Sequence, residues 1–154
     1  MPSTTTPDAQ MGGALKTDKD LALTGNFSTS GSIVSYGTGG IGYSTGAGAV
    51  VTQITNRSTG VTCNAICGAI TTTTASLAAE GTASFGVSNS YVRSTDTVVV
   101  CQRSGSDGGG TIAYVSAVAN GSFTISLYNG NVASGTAETG AIILNFAVIK
   151  AVAT

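Results

Sequence analysis

The sequence contains no histidine and no tryptophan, and only 8% of its 154 residues are charged. Histidine supplies much of the acid–base catalysis and metal ligation that proteins perform near neutral pH, so its absence argues against most enzyme chemistry. Six Lys and Arg residues oppose seven Asp and Glu residues, for a net charge of −1. The basic residues are scattered from Lys16 to Lys150 without a cluster, whereas nucleic-acid-binding proteins concentrate them. We therefore expect neither an enzyme nor a nucleic-acid partner.

Long apolar runs are also missing. The most apolar stretch, residues 141–149, is interrupted by Asn145 and is far shorter than the roughly 20 residues that a membrane helix needs. The first eight residues are polar and lack the charged start and apolar segment that are typical of a signal peptide. The sequence predicts no membrane partner and no signal-directed secretion.

Small residues take the place of the missing types, with 22 Gly, 18 Ser and 24 Thr in the chain. Disordered chains combine low hydrophobicity with high net charge, but 42% of this chain is apolar and its net charge is close to zero. A chain of this length suits one domain, which can form a core without metal or disulfide support. We expect one folded domain that needs no cofactor.

The three cysteines, Cys63, Cys67 and Cys101, cannot all pair within one chain. Cys63 and Cys67 are not spaced as a C-x-x-C motif, and no histidine is present to complete a zinc site, so we expect no metal. Buried reduced thiols are favoured, and a bridge between Cys63 and Cys67 across a tight turn remains an alternative.

The composition changes near residue 35. Residues 1–20 carry five of the 13 charges and both prolines, whereas apolar residues are sparse. This pattern predicts an extended N-terminal arm over 1–35, and a frayed terminus is the alternative. The arm could contact another protein through its few apolar side chains, Leu15, Leu21, Leu23 and Phe27.

Residues 36–154 contain short runs rich in Thr, Val and Ile, separated by Gly, Asn, Ser and Asp, which indicates strands and turns rather than helices. We predict eight strands, at Val50–Arg57, Gly60–Ala65, Ala69–Thr73, Thr82–Asn89, Thr97–Arg103, Ile112–Ala119, Ser122–Tyr128 and Ala141–Ala151. Eight short strands in one domain predict an all-β fold, specifically a jelly-roll-like or other Greek-key β-sandwich.

Two parts of this pattern also predict how the strands are arranged. Asn120-Gly121 is the dipeptide that a type I′ turn demands, so the runs on either side of it should form a hairpin. The run at Ala141–Ala151 is apolar at both alternating positions except for Asn145, as expected of a central strand or of one covered by a neighbouring subunit.

Residues 36–50 are rich in glycine, but no strand precedes them, no helix follows and no lysine lies among them, so phosphate binding is disfavoured. Closely packed turns, or the approach of three copies around an axis, explain the glycines better. The carboxylates of Glu80, Asp96 and Asp107 also fall at turn positions. There a bond from side chain to backbone is the ordinary role, rather than catalysis.

A series of short motifs carries a resemblance that spans residues 36–152. The motifs are Gly42-Tyr43-Ser44-Thr45-Gly46-Ala47-Gly48, Val51-Thr52-Gln53, Thr59-Gly60-Val61-Thr62, Gly68-Ala69-Ile70-Thr71, Val87-Ser88-Asn89-Ser90, Asp96-Thr97-Val98-Val99-Val100, Asn120-Gly121-Ser122-Phe123-Thr124-Ile125 and Asn145-Phe146-Ala147-Val148-Ile149-Lys150. In this order they resemble a β-rich domain family of tailed-bacteriophage virion proteins, which includes capsid decoration (cement) proteins and the ends of some head or tail fibres. The sequence departs from the family at Cys63, Cys67 and the loop 107–110.

The resemblance implies a trimeric structural protein that is assembled in the host cytoplasm, binds the major capsid protein on the outer surface of the virion and stabilises the shell. The alternative is a head- or tail-fibre tip that recognises host glycans through exposed tyrosines such as Tyr36, Tyr43, Tyr91 or Tyr128. We expect capsid contact through the arm residues Leu15, Leu21, Leu23 and Phe27. For self-association as a homotrimer we expect Tyr36, Ile41, Tyr43, Phe146 and Val148.

Overall fold

The computed structural model describes residues 24–35, 40–106, 110–131 and 135–151. The chain separates into two compact units, residues 1–41 and 42–154. The described residues of the first unit form neither helix nor strand. The predicted arm contacts Leu15, Leu21 and Leu23, and Tyr36, lie outside the described residues.

The second unit is built from β-strands, and its described residues contain no helix. The strands are β1 Gly48–Thr52, β2 Val61–Thr62, β3 Cys67–Thr71, β4 Thr82–Ser88, β5 Thr97–Ser104, β6 Thr111–Ala119, β7 Ser122–Asn129 and β8 Ile143–Ile149. Each overlaps one predicted strand. The predicted all-β class is therefore confirmed.

The strands form two four-stranded sheets, which we call sheet A and sheet B. Sheet A has the order β1-β3-β8-β5, and sheet B has the order β2-β4-β7-β6. Each sheet is mixed, because β1 pairs with β3 and β2 pairs with β4 in parallel, whereas every other pair is antiparallel. Strand β8 lies between β3 and β5, which confirms the expectation of a central strand.

The predicted hairpin is present as β6 and β7. Ala119 pairs with Ser122, so that Asn120 and Gly121 form the turn. Gly121 has a φ of 80°, a conformation that glycine adopts without the steric cost of a side chain. The Asn-Gly signal was sufficient here because it specifies the turn and the strand register together.

The core lies between the two sheets, as in a β-sandwich. Its side chains include Ile70, Leu144 and Val148 of sheet A and Phe85 of sheet B, and each of these four is at most 2% exposed. The rings of Phe123 on β7 and Phe146 on β8 meet between the sheets with their centroids 5.3 Å apart. Because side chains alternate along a strand, this core fixes which residues of each strand point outward.

Candidate functional site

The outer surface of sheet A is largely aliphatic, and we call it the aliphatic face. Arg103, exposed near the end of β5, is the one charged residue in the strands of this sheet. The outward residues of the face alternate with the core residues of the four strands: Gly48, Val50 and Thr52 on β1; Cys67, Ala69 and Thr71 on β3; Ile143, Asn145, Ala147 and Ile149 on β8; Thr97, Val99 and Cys101 on β5. Val50, Ile149 and Val99 are 78%, 53% and 48% exposed. The aliphatic face therefore exposes to solvent β-branched apolar side chains of a kind that is ordinarily buried.

The outer surface of sheet B is dominated by hydroxyl groups, and we call it the hydroxyl face. Ser84, Ser126 and Ser116, from three adjacent strands, form a chain in which each Oγ–Oγ distance is 2.8 Å. The central serine is buried, with 3% of its surface exposed. Tyr114 of β6, which pairs with Ser126, is 46% exposed, and Ile112 on the same side of the strand is 58% exposed. Part of the hydrogen-bonding capacity of the hydroxyl face is therefore satisfied by bonds within the chain.

A buried polar cluster joins loops that are far apart in the sequence. Arg57 donates from Nε to the Ala75 carbonyl at 2.5 Å, and from an Nη atom to the Gly140 carbonyl at 2.8 Å. The Glu138 carboxylate accepts bonds from the hydroxyls of Thr111, at 2.9 Å, and Ser106. Arg57 and Glu138 are 3% and 1% exposed. Since substrate cannot reach groups this enclosed, we assign the cluster to holding the loops together.

A second charged group lies at the ends of β5 and β8. The Asp96 carboxylate accepts a bond from the backbone nitrogen of Arg93 at 2.8 Å and pairs with Nζ of Lys150 at 2.5 Å. The hydrogen bond from Lys150 holds the pKa of Asp96 below its ordinary value. The bond to the Arg93 backbone is the turn interaction that the sequence predicted for Asp96. A carboxylate held ionised and already bonded is a poor proton donor or acceptor at neutral pH.

The three cysteines are free thiols, so the bridge between Cys63 and Cys67 is not formed in this structure. Cys63 is buried, and burial together with the nearby Cys67 raises the pKa of its thiol. A thiol with a raised pKa is protonated and a weak nucleophile. Among the described residues, no group of three or more acidic, cysteine or histidine side chains is arranged to hold a metal ion.

A cleft of about 200 Å³ lies at one end of the sandwich, and we call it the end cleft. It is lined by Gly46, Ala47, Gly48, Asn64, Ala65, Ile66 and Tyr91. The tyrosine is 53% exposed. Sequence reasoning named Tyr91 only as one of several exposed tyrosines. It could not place Tyr91 beside the glycine-rich entrance to β1, because the two segments are more than 40 residues apart.

The predicted contact residues that the structure describes fall into two groups. Phe27, Ile41 and Tyr43 are 62%, 74% and 47% exposed, and the Tyr43 hydroxyl donates a hydrogen bond to the Val148 carbonyl. Phe146 and Val148, at 4% and 0%, are buried in the core of their own chain. Their side chains therefore cannot supply the self-association surface predicted for them.

Phe146 and Val148 were assigned to the wrong side of β8 because of its alternation pattern. Strand β8 is apolar at both alternating positions, so its sequence does not reveal which positions face the core. The structure turns Phe146 and Val148 inward. Asn145, Ala147 and Ile149 lie on the opposite side, and Ile149 is the most exposed apolar residue of the strand.

No helix among the described residues is long and apolar enough to cross a bilayer. Comparison of the chain with known protein families, with curated proteins and with solved structures gave no significant match.

Proposed function

We propose that this protein is a structural virion protein that assembles as a homotrimer, binds the outer surface of the capsid through the major capsid protein and stabilises the shell. The observation that carries the proposal is the aliphatic face. Soluble monomers rarely leave a continuous apolar patch in water, and such patches usually mark interfaces. The exposed side chains of Val50, Val99 and Ile149 support the proposal that another protein surface covers this face.

The aliphatic face also suits contact between identical copies. Apart from Arg103 at the end of β5 it is uncharged, so copies meet largely without like-charge repulsion and without the cost of removing ions from water. Sheet B likewise has a parallel pair and strands without charge, so the choice of sheet A rests on the exposed side chains of Val50, Val99 and Ile149. The trimeric state itself is implied by the resemblance to phage virion proteins.

The contact with the capsid is assigned to the N-terminal arm, again from the resemblance and from composition. Of its predicted contact residues, the structure describes Phe27, whose ring is 62% exposed. Threefold symmetry would present three arms to the lattice, so that weak individual contacts add up through avidity. The sandwich would then act as a rigid body that each arm fastens to the shell.

Self-association is tested by placing a charge on one face at a time. We expect Val50→Lys to convert the trimer into a monomer, because a lysine in an apolar interface loses its hydration without gaining a partner. The matched control is Thr82→Lys, at an exposed position on the outer surface of sheet B. The mass of each variant is measured by light scattering after gel filtration. A wild-type monomer, or a Val50→Lys trimer, would contradict the proposed interface.

Capsid binding is tested with particles that lack the protein. The purified protein should bind their outer surface at regular positions in electron micrographs, and bound particles should resist heating better than bare ones. Deletion of residues 1–35 should abolish binding and leave the sandwich trimeric. Attachment at a fibre tip, with none on the shell, would support the fibre alternative and reject the decoration function.

A further inference from the structure

We propose that the end cleft is a binding site for a single sugar ring, with Tyr91 as its stacking platform and Asn64 as its hydrogen-bond donor. This inference rests on the geometry of the cleft and does not depend on the capsid function. It would give the protein a carbohydrate-binding activity at the end of the sandwich, where Gly48 adjoins the aliphatic face.

The walls of the end cleft are held in place by hydrogen bonds. Asn89, 1% exposed, donates from Nδ2 to the Ala65 carbonyl at 2.7 Å and accepts from the Tyr91 backbone nitrogen at 3.0 Å. The Tyr91 carbonyl accepts a bond from Lys150 Nζ at 2.6 Å. The backbone of Tyr91 is thus fixed on both sides, whereas its ring remains half exposed.

The opposite wall is fixed in the same way. The Ile66 carbonyl accepts from the Val148 nitrogen at 2.8 Å, which ties the wall to the central strand β8. Gly46 has a φ of 92° and belongs to the turn closed by the bond from Ala47 nitrogen to Ser44 oxygen. Because these elements are already ordered, a ligand would not have to pay for ordering them.

The chemistry of the lining matches a sugar. A pyranose ring has one face of C–H groups that packs on an aromatic ring, and a rim of hydroxyls that needs hydrogen-bond partners. Tyrosine offers a flat apolar body for the first requirement. Asn64 accepts a bond from Ser90 nitrogen through Oδ1 at 2.9 Å, which orients its amide. Within the described part of the chain its Nδ2 meets no acceptor, so both N–H groups can serve a ligand.

Size narrows the class of ligand. Pockets for drug-sized molecules measure roughly 300–1,000 Å³, so a cleft of about 200 Å³ suits one ring rather than an extended chain. The ammonium of Lys150 is paired with Asp96. The guanidinium of Arg93, in contrast, bonds to two backbone carbonyls and keeps its charge two residues from Tyr91. The size of the cleft therefore favours a single sugar at the end or at a branch of a glycan, and the charges nearby admit a neutral or an acidic one.

The experiment uses the full-length protein and four methyl glycosides, those of glucose, galactose, mannose and N-acetylglucosamine. Binding is measured by saturation-transfer NMR and by titration of the amide signals, up to about 20 mM, where a millimolar ligand is detected. We expect at least one glycoside to bind and to shift the signals of residues 46–48, 64–66 and 91. If no glycoside binds, or if the shifts lie elsewhere, the proposal is overturned.

Variants distinguish binding in the end cleft from nonspecific binding elsewhere on the protein. Tyr91→Ala should weaken binding at least about tenfold, as loss of a central aromatic contact does, and should keep the fold because the structural bonds of Tyr91 come from its backbone. Tyr114→Ala, a half-exposed tyrosine outside the end cleft, should change affinity less than about twofold. Asn64→Asp keeps the acceptor for Ser90 and removes the donors, so it should weaken binding about fivefold. Equal losses in Tyr91→Ala and Tyr114→Ala would overturn the proposal.

Discussion

The two sheets present similar apolar surfaces to each other but opposite surfaces to the outside. On the hydroxyl face, Ser84, Ser126 and Ser116 bond across three strands, and the remaining hydroxyls suit water. On the aliphatic face, the exposed side chains of Val50 and Val99 have no group that can form a hydrogen bond with water. The inner faces explain why the sandwich folds. The difference between the outer faces is the basis of the proposal that another protein surface covers sheet A, whereas sheet B stays in contact with solvent.

The largest stability effect is expected from a pair of glycines, one in each sheet. A β-carbon at Gly68 on β3 would lie 2.9 Å from the Phe146 ring and closer still to the Ala49 carbonyl, whereas one at Gly86 on β4 would meet nothing within 4 Å. Gly68→Ala should lower the free energy of unfolding by about 1–3 kcal/mol. Gly86→Ala should leave it unchanged or raise it by about 0.4–1 kcal/mol.

Urea unfolding followed by circular dichroism measures both glycine variants. If the two variants were equally stable, β1 and β3 could move apart without a loss of stability. The close packing at Gly68 would then not distinguish sheet A from sheet B.

How far the sequence predicted this arrangement depends on the range of the signal. The β6–β7 hairpin was predictable because Asn120-Gly121 acts locally, and the strands were predictable because their residue types and turn signals are local too. The parallel pairs were not, since alternation tells which side of a strand is apolar but not which strand lies beside it. The buried pairing of Arg57 with the loop at Glu138 joins residues that are 81 positions apart. No local pattern marks such a contact.

The contact surfaces show the same limit. The low charge of the chain argued against an enzyme and a nucleic-acid partner without indicating any contact surface, and the uniform apolarity of β8 concealed that Phe146 and Val148 point inward. Both faces of the sandwich had to be seen before Val50 and Ile149 could be singled out. The end cleft required three separate segments, around residues 46–48, 64–66 and 91, to meet.

A moderate effect is expected from the serine chain. Ser126→Ala removes a buried hydroxyl that bonds to Ser84 and Ser116, and should lower the free energy of unfolding by about 1 kcal/mol. The loss is limited because both partners lie near the surface and can bond to water instead. Thr52→Ala, an exposed position on the aliphatic face, should change stability by less than about 0.5 kcal/mol.

The same urea titration applies to the serine and threonine variants. If Thr52→Ala costs as much as Ser126→Ala, the contrast between the two faces is not one of hydrogen bonding.

The smallest effect is expected from the ion pair at the end of sheet A. Because the pKa of Asp96 is lower in the folded chain than its ordinary value of 3.8, the unfolded chain binds more protons near that pH. The stability that the pair contributes is therefore complete above about pH 5 and is lost as the pH falls through the folded pKa. Lys150 is 57% exposed, and solvent screening keeps the contribution small.

Thermal melting between pH 2.5 and 7 tests the ion pair. Asp96→Asn should melt at a lower temperature than the wild type at pH 7, and the gap should close as the pH approaches 2.5. A gap that is constant with pH would show that the carboxylate stabilises the turn at Arg93 without a contribution from its charge.

The central position of β8 has a consequence for the order in which the molecule is made. Strands β3 and β5 meet only through β8, which follows the other seven strands of the described residues. During synthesis, the β6–β7 hairpin and its neighbour β4 can form sheet B while the ribosome still holds β8. Sheet A closes only after residues 143–149 have emerged. An interrupted chain would therefore lack a complete aliphatic face, and unfinished copies would be left out of the proposed trimer.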